Sequence, residues 1–232
     1  MAEQIEVLRA RANLYRLFGA LLYREPAESW LESFQQGLKQ EWSALGCTFD
    51  EDMDMPLPQL KEELDAEFTS LWIAPGGVPR FESVYATGSV FQYPCDQVME
   101  IYRSEGFDFD ADAEKTFADH AGVELEFMGL LADKQAKAVE QGDQEEAARA
   151  EERLRGFLLE HAGKWIPAML SHSIRCAEHS FYRELCRMIL EFFDQEIEAM
   201  LPRRDREMLR AKYQRLPKEI DYDADFRKAS GL

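Results

Sequence analysis

Cysteine is scarce in this 232-residue chain: Cys47, Cys95, Cys176 and Cys186 are all there is, and no two form a CxxC pair. That spacing offers no disulfide framework, no thiolate zinc site and no dithiol redox motif, and it suits a reducing compartment. Histidine is equally sparse, with four residues. Basic side chains are outnumbered 27 to 45 by acidic ones, for a formal net charge of −18. An excess of that sign repels phosphate backbones and anionic lipid, which argues against nucleic acid and membrane surfaces as partners and favours a cationic one. No run of ~18 apolar residues is present to cross a bilayer. Glu3 and Glu6 stand where a secretory signal would carry basic residues, so a cytoplasmic location is expected. The P-loop, GxGxxG, HExxH and GxSxG signatures are missing too, which removes the commonest nucleotide, metalloprotease and serine-hydrolase readings.

What remains is enough for a folded core. With 46% hydrophobic and 31% charged residues the chain is neither disordered nor fibrous. A chain of this length buries roughly 70% of its unfolded surface and needs no staple. Its apolar residues recur at helical spacing almost throughout. Ile5, Leu8, Ala12, Tyr15 and Phe18 form one stripe, ended by Pro26. Ser29 is placed to cap a second helix carrying Trp30, Phe34, Leu38, Trp42 and Leu45, followed by an acidic loop at 50–54. A third helix from Pro56 or Pro58 carries Leu60, Leu64, Phe68, Leu71 and Trp72.

Residues 75–94 read differently, as an irregular Gly-, Pro- and aromatic-rich loop, in which a short strand near Val90–Phe91 would have no partner strand. A helix over 94–105, ended by Gly106, leads to an acidic hinge at 108–112. Periodicity then predicts one helix over 113–141, a second after Gly142 and Asp143, and two more over 164–177 and 180–201. The expectation is an all-α bundle of about eight to ten helices over 1–201, with parts 1–107 and 113–201. Nine basic and six acidic residues follow Pro202, so 202–232 is a basic tail of local charge +3, expected to be flexible, against −21 for the rest.

Three clusters carry candidate chemistry. His172, Cys176 and His179 share a face if their helix is continuous, a spacing that suits a transition metal or, more blandly, a histidine-rich helix end. Asp119 and His120 top a stripe containing Glu124, Phe127 and Leu131, which reads as an acid/base dyad, a ligand contact or a helix cap. In the loop, Glu82 and Tyr85 either present a carboxylate and an aromatic edge to a ligand or simply shape a turn with Pro79.

Taken together, Phe68–Trp72 (FTSLW), Pro79–Tyr85 (PRFESVY) and Asp119–Met128 (DHAGVELEFM) resemble motifs of the TorD/DmsD/NarJ family of cytoplasmic redox-enzyme maturation chaperones. The resemblance extends from about Tyr15 to Leu201. It implies an all-α protein with no catalysis and no cofactor of its own. The implied partner is the precursor of a molybdenum-containing oxidoreductase, held by its twin-arginine signal peptide, or a remnant of one, until the cofactor is inserted. Members of such a family are monomers or segment-swapped dimers. The implied peptide-binding residues are Trp72, Pro79, Glu82, Ser83, Tyr85, Asp119, His120, Glu124 and Phe127. The alternative is a helical metal-binding enzyme or sensor built on His172, Cys176 and His179.

Overall fold

A computed structural model describes residues 2–213. In chain order its helices are α1 (Ala2–Tyr23), α2 (Glu28–Ser33), α3 (Lys39–Ala44), α4 (Leu57–Phe68), α5 (Glu82–Thr87) and α6 (Tyr93–Ser104). They continue with α7 (Ala111–Glu114), α8 (Ala121–Gln141), α9 (Gln144–Glu160), α10 (Ile166–Cys176), α11 (Ser180–Met200) and α12 (Arg203–Tyr213). The architecture is all-α, with no strand among the described residues. Two compact units are built from interleaved segments. The first takes the chain to Tyr23, Arg80–Ile166 and the described residues from Glu196 on; the second takes Arg24–Pro79 and Pro167–Gln195.

The first unit is organised by α1 lying antiparallel against α8. Small residues let the two backbones approach closely. A Cβ placed on Gly122 would sit 2.7 Å from the Gly19 carbonyl oxygen, and one on Gly129 would lie 3.2 Å from that of Ala12. Further along, Leu8 packs with Ala136 and Val139, and Arg9 pairs with Glu140 at 2.7 Å. Tyr15, fully buried, donates its hydroxyl to Glu196 at 2.7 Å, and Arg11 reaches the same carboxylate at 3.1 Å. Helix α8 stops where the sequence demands: Gly142 takes φ +76°, and Asp143 accepts from the Glu146 amide at 3.0 Å to start α9.

The second unit is an aromatic core. Trp30, Phe34, Trp42, Phe49 and Phe181 pack with ring centroids 5.1 to 6.4 Å apart. Two π-helical turns occur: Phe34–Leu38 joins α2 to α3 and re-aims the side chains after it, and Thr69–Ile73 ends the helix begun by α4, with Ala74 extended beyond it. The acidic loop is not merely solvated. Met53 is fully buried there, Asp50 pairs with Arg183 at 2.8 Å, and Asp52 accepts from Ser180 at 3.0 Å. The Glu67 carboxylate accepts from the amides of Glu178 (2.7 Å) and His179 (2.8 Å), capping the approach to α11. Glu67→Ala is therefore expected to cost ~1–3 kcal/mol in urea unfolding, the range for orphaned donors.

Several expectations need correction. The second helix begins at Glu28 with Ala27 as its cap residue, because the Trp30 and Leu31 amides both bond to the Ala27 carbonyl; Ser29 lies inside the helix. Residues 75–94 hold helix α5, and Phe91 has φ +54°, so no strand forms at Val90–Phe91. The helix expected over 113–141 is broken: α7 ends at Glu114 and α8 begins only at Ala121. A turn through Asp119 leads to an extended His120, which bridges antiparallel to Phe81, with the Glu82 amide on the Asp119 carbonyl and the Ala121 amide on that of Arg80, both 2.9 Å. Within the tail, Arg203–Tyr213 is helical and buries Leu209. The rest of the expected tail lies outside the described residues.

Candidate functional site

In the first unit the bridge between Phe81 and His120 brings the loop motif and the aspartate–histidine motif together. Asp119 Oδ2 accepts from the Ser83 amide at 2.8 Å and from the Ser83 hydroxyl. That hydroxyl oxygen in turn accepts from the Gln92 amide at 3.1 Å. His120 is the N-cap of α8: its Nδ1 accepts from the Gly122 amide at 3.1 Å, which fixes the tautomer with the proton on Nε2. Tyr23 and Phe81 pack edge-on against its ring. Burial, reinforced by the nearby Arg80 guanidinium, holds the His120 pKa well below the usual histidine range, so the ring is neutral.

Two further carboxyl groups complete the cluster. Glu82 Oε2 lies 2.9 Å from His161 Nδ1, and Glu124 Oε2 accepts from the Trp165 indole N–H at 3.1 Å. Asp119 and Glu124 are fully buried, and one oxygen of each, Oδ1 and Oε1, has no hydrogen-bond partner among the described residues. Desolvation, with the charges of Glu82 and Asp119 beside it, pushes the Glu124 pKa well up. Desolvation raises Asp119 as well, against the pull of the two Ser83 hydrogen bonds. A neutral Glu124 is the physical consequence: three close carboxylates cannot all ionise away from water. Tyr85 stacks at a tilt on Trp165 with centroids 5.4 Å apart. Phe127 packs against Tyr102 and Phe157, at 4.6 and 4.8 Å.

A family model described as nitrate reductase delta subunit matches residues 31–171, more than half of the chain. The chain belongs to that family. The chaperone protein TorD of Vibrio parahaemolyticus serotype O3:K6 (strain RIMD 2210633) is 23% identical over 201 residues, covering 78% of this chain and 90% of the relative. The resemblance drawn from the three motifs therefore holds, and the chain is a TorD-like member of the redox-enzyme maturation chaperones.

For this TorD-like chain, the structure brings Glu82, Ser83, Tyr85, Asp119, His120, Glu124 and Phe127 together in the first unit. Trp72 and Pro79 belong to the second, where the Trp72 indole donates to Ser173 Oγ at 3.0 Å. All of these side chains are buried; Asp119 and His120 expose 0% and 2%. Sequence reasoning did not find the pairing of Glu82 with His161, nor that of Glu124 with Trp165. One signal was available. His161 and Trp165 share a stripe with Leu158, and a histidine in an apolar stripe calls for a buried partner. Arg80, whose Nη1 donates to the Leu22 carbonyl at 2.5 Å, was also overlooked; a buried arginine between Pro79 and Phe81 has no periodicity to betray it.

The metal reading loses its geometry. Helix α10 ends at Cys176, so His179 is not on the same helical face as His172. His179 Nδ1 instead accepts from the Phe181 amide at 3.1 Å, and its Nε2 lies 3.3 Å from Asp52. Among the described residues no group of three or more His, Cys, Asp or Glu is placed to hold a metal ion. Burial lifts the thiol pKa of Cys95 and Cys186, and that of Cys47 to about 11, so these three stay protonated and poorly nucleophilic at neutral pH.

Proposed function

We propose that this chain is a client-specific chaperone that binds the precursor of a molybdenum-containing oxidoreductase. It holds the precursor through a twin-arginine signal peptide, or the remnant of one, until the cofactor is inserted. The observation that carries the reading is membership of a family of redox-enzyme maturation chaperones over more than half of the chain. Physical chemistry supports it. A twin-arginine leader combines guanidinium groups with an apolar stretch, and its receptor needs carboxylates beside apolar surface. A formal charge of −18 draws such a peptide in at low ionic strength. The aspartate–histidine pair and its partners act from within, holding α5, α8 and the 88–92 loop in place, as buried and hydrogen-bonded groups do. Binding precedes export, so the proposed location is the cytoplasm. No helix among the described residues is long and apolar enough to cross a membrane.

The test is calorimetric titration of the full chain with a synthetic twin-arginine leader peptide. A second peptide carries glutamine at both arginines. The expected result is one-to-one binding that weakens at least tenfold with the glutamine peptide and falls with added salt. Equal binding of both peptides, or of neither, contradicts the reading.

A further inference from the structure

In the aspartate–histidine cluster Asp119 and Glu124 expose nothing, and His120 exposes 2%. The exposed side chains beside the cluster are the ones an approaching peptide meets first. In the first unit, a cleft of about 420 Å³ opens between α6 and the segment that follows it. Its apolar lining is Phe91, Met99, Phe109 and Phe117, over the buried Cys95 and Ala118. Phe91 and Phe117 lie 5.1 Å apart between centroids. Phe91 is 62% exposed, and Val90 and Tyr93, close to it in the chain, are exposed by 46% and 59%, an apolar stretch unusual for a surface. Phe91 is also held at φ +54°, in the left-handed region that a bulky side chain rarely adopts.

Charge identifies the occupant. Asp96 and Glu100 line the cleft one helical turn apart on α6, both exposed and neither in an ion pair among the described residues. A like-charged i,i+4 pair weakens its helix and is relieved by a cation bound across it. Asp108 and Asp110, on either side of Phe109, are exposed too. Arg103 is the one cation in the lining. A second cleft of similar volume, between α6, α8 and α9, lacks this feature: its Glu105 is already engaged by Lys134 at 3.1 Å and Arg153 at 2.8 Å. The first cleft also connects directly to the family motif. Asp119 binds Ser83, and Ser83 holds the Gln92 amide next to Phe91, while Phe117 precedes Asp119 by two residues.

We infer that the cleft of Asp96, Glu100, Met99, Phe91 and Phe117 is the docking site for an arginine-bearing apolar segment of the client leader. Guanidinium groups lie on Asp96 and Glu100, and an apolar side chain enters among the rings. This assignment rests on the leader-binding function proposed above and adds the surface on which it happens.

The experiment titrates the twin-arginine peptide and its glutamine counterpart into the full wild-type chain and three variants. Asp96→Asn with Glu100→Gln is expected to weaken the arginine peptide about tenfold, to leave the glutamine peptide unaffected, and to flatten the salt dependence. Phe91→Ala is expected to weaken both peptides about tenfold. Gly156→Arg, which places a long side chain in the second cleft, should change neither. Circular dichroism on each variant confirms retained helix content. Wild-type binding with unchanged affinity in the Asp96/Glu100 variant, or loss on Gly156→Arg alone, overturns the site and leaves the function standing. Failure of the wild type to distinguish the peptides overturns the function and the site together. A concentration-dependent dimer, abolished by Phe91→Ala and unaffected by peptide, would give the cleft to a second copy and overturn the assignment.

Discussion

Gly122→Leu is expected to unfold the first unit or to lower its stability by more than about 3 kcal/mol in urea unfolding. The methyl of an alanine at this position would already stand 2.7 Å from the Gly19 carbonyl oxygen and 2.8 Å from the Tyr23 Cβ. Neither neighbour is the end of a flexible chain, so relief requires α1 and α8 to move apart. Overpacking at a site able to adjust costs ~1–3 kcal/mol, and a leucine between two helix backbones exceeds it. Separation of the helices would disturb the His120 cap, whose Nδ1 accepts from the Gly122 amide itself. Gly156, in the middle of α9, supplies the contrast. Nothing lies within 4 Å of a Cβ added there. Gly156→Ala should raise stability by ~0.5–1 kcal/mol through helix propensity alone. Equal unfolding midpoints for Gly122→Leu and wild type would refute the close helix packing.

Glu124→Gln should change the sign of its stability effect between pH 5 and pH 8. In the folded chain Glu124 titrates well above its ordinary value and Asp119 above its own, so in this window the native state binds more protons than the unfolded state. Stability is then fully present below about pH 4, where both states are protonated, and falls as pH rises toward the folded pKa values. The limiting slope is ~1.4 kcal/mol per pH unit for each proton. His120 works in the opposite sense. Its depressed pKa means that stability rises with pH until the unfolded histidine loses its proton near ~6.5. Above that point the carboxyl slope stands alone. Glutamine keeps the acceptor for the Trp165 indole and cannot ionise, but its amide brings donors the cluster does not serve. The variant should therefore lie about 1 kcal/mol below wild type at pH 5, and equal or exceed it at pH 8. A constant deficit across the range would mean that Glu124 is not a neutral acid in the fold.

The contrast between what could and could not be foreseen has physical causes. Helix α1, the Gly142–Asp143 punctuation and α11 follow from periodicity and capping, because these are set within a few residues of each other. The break at 115–120 is not local. Ala118 to Glu124 reads as good helix, and the chain leaves it because the Phe81 bridge, 39 residues earlier, offers the Asp119 and Ala121 backbone groups better partners. His120 is nevertheless the N-cap of α8, as one of the alternatives for the pair had it, with the Glu124 amide on its carbonyl at 3.0 Å. The π turn at Phe34 was invisible for a related reason: an inserted residue shifts the face of the helix that follows without altering composition. As for the candidate site, residue types pointed to a carboxylate cluster over aromatics. Burial was beyond reach, since Asp96 and Asp119 look alike in sequence, yet one is exposed and the other is enclosed.

Amide hydrogen exchange of the full chain, with and without a saturating twin-arginine leader peptide, tests the central claim most directly. Peptide binding on the first unit predicts protection strongest in segments spanning residues 90–118, with weaker effects on the start of α8 as the Asp119–Ser83–Gln92 linkage tightens. Saturating peptide that leaves every segment between Arg80 and Ile166 unprotected would contradict the account.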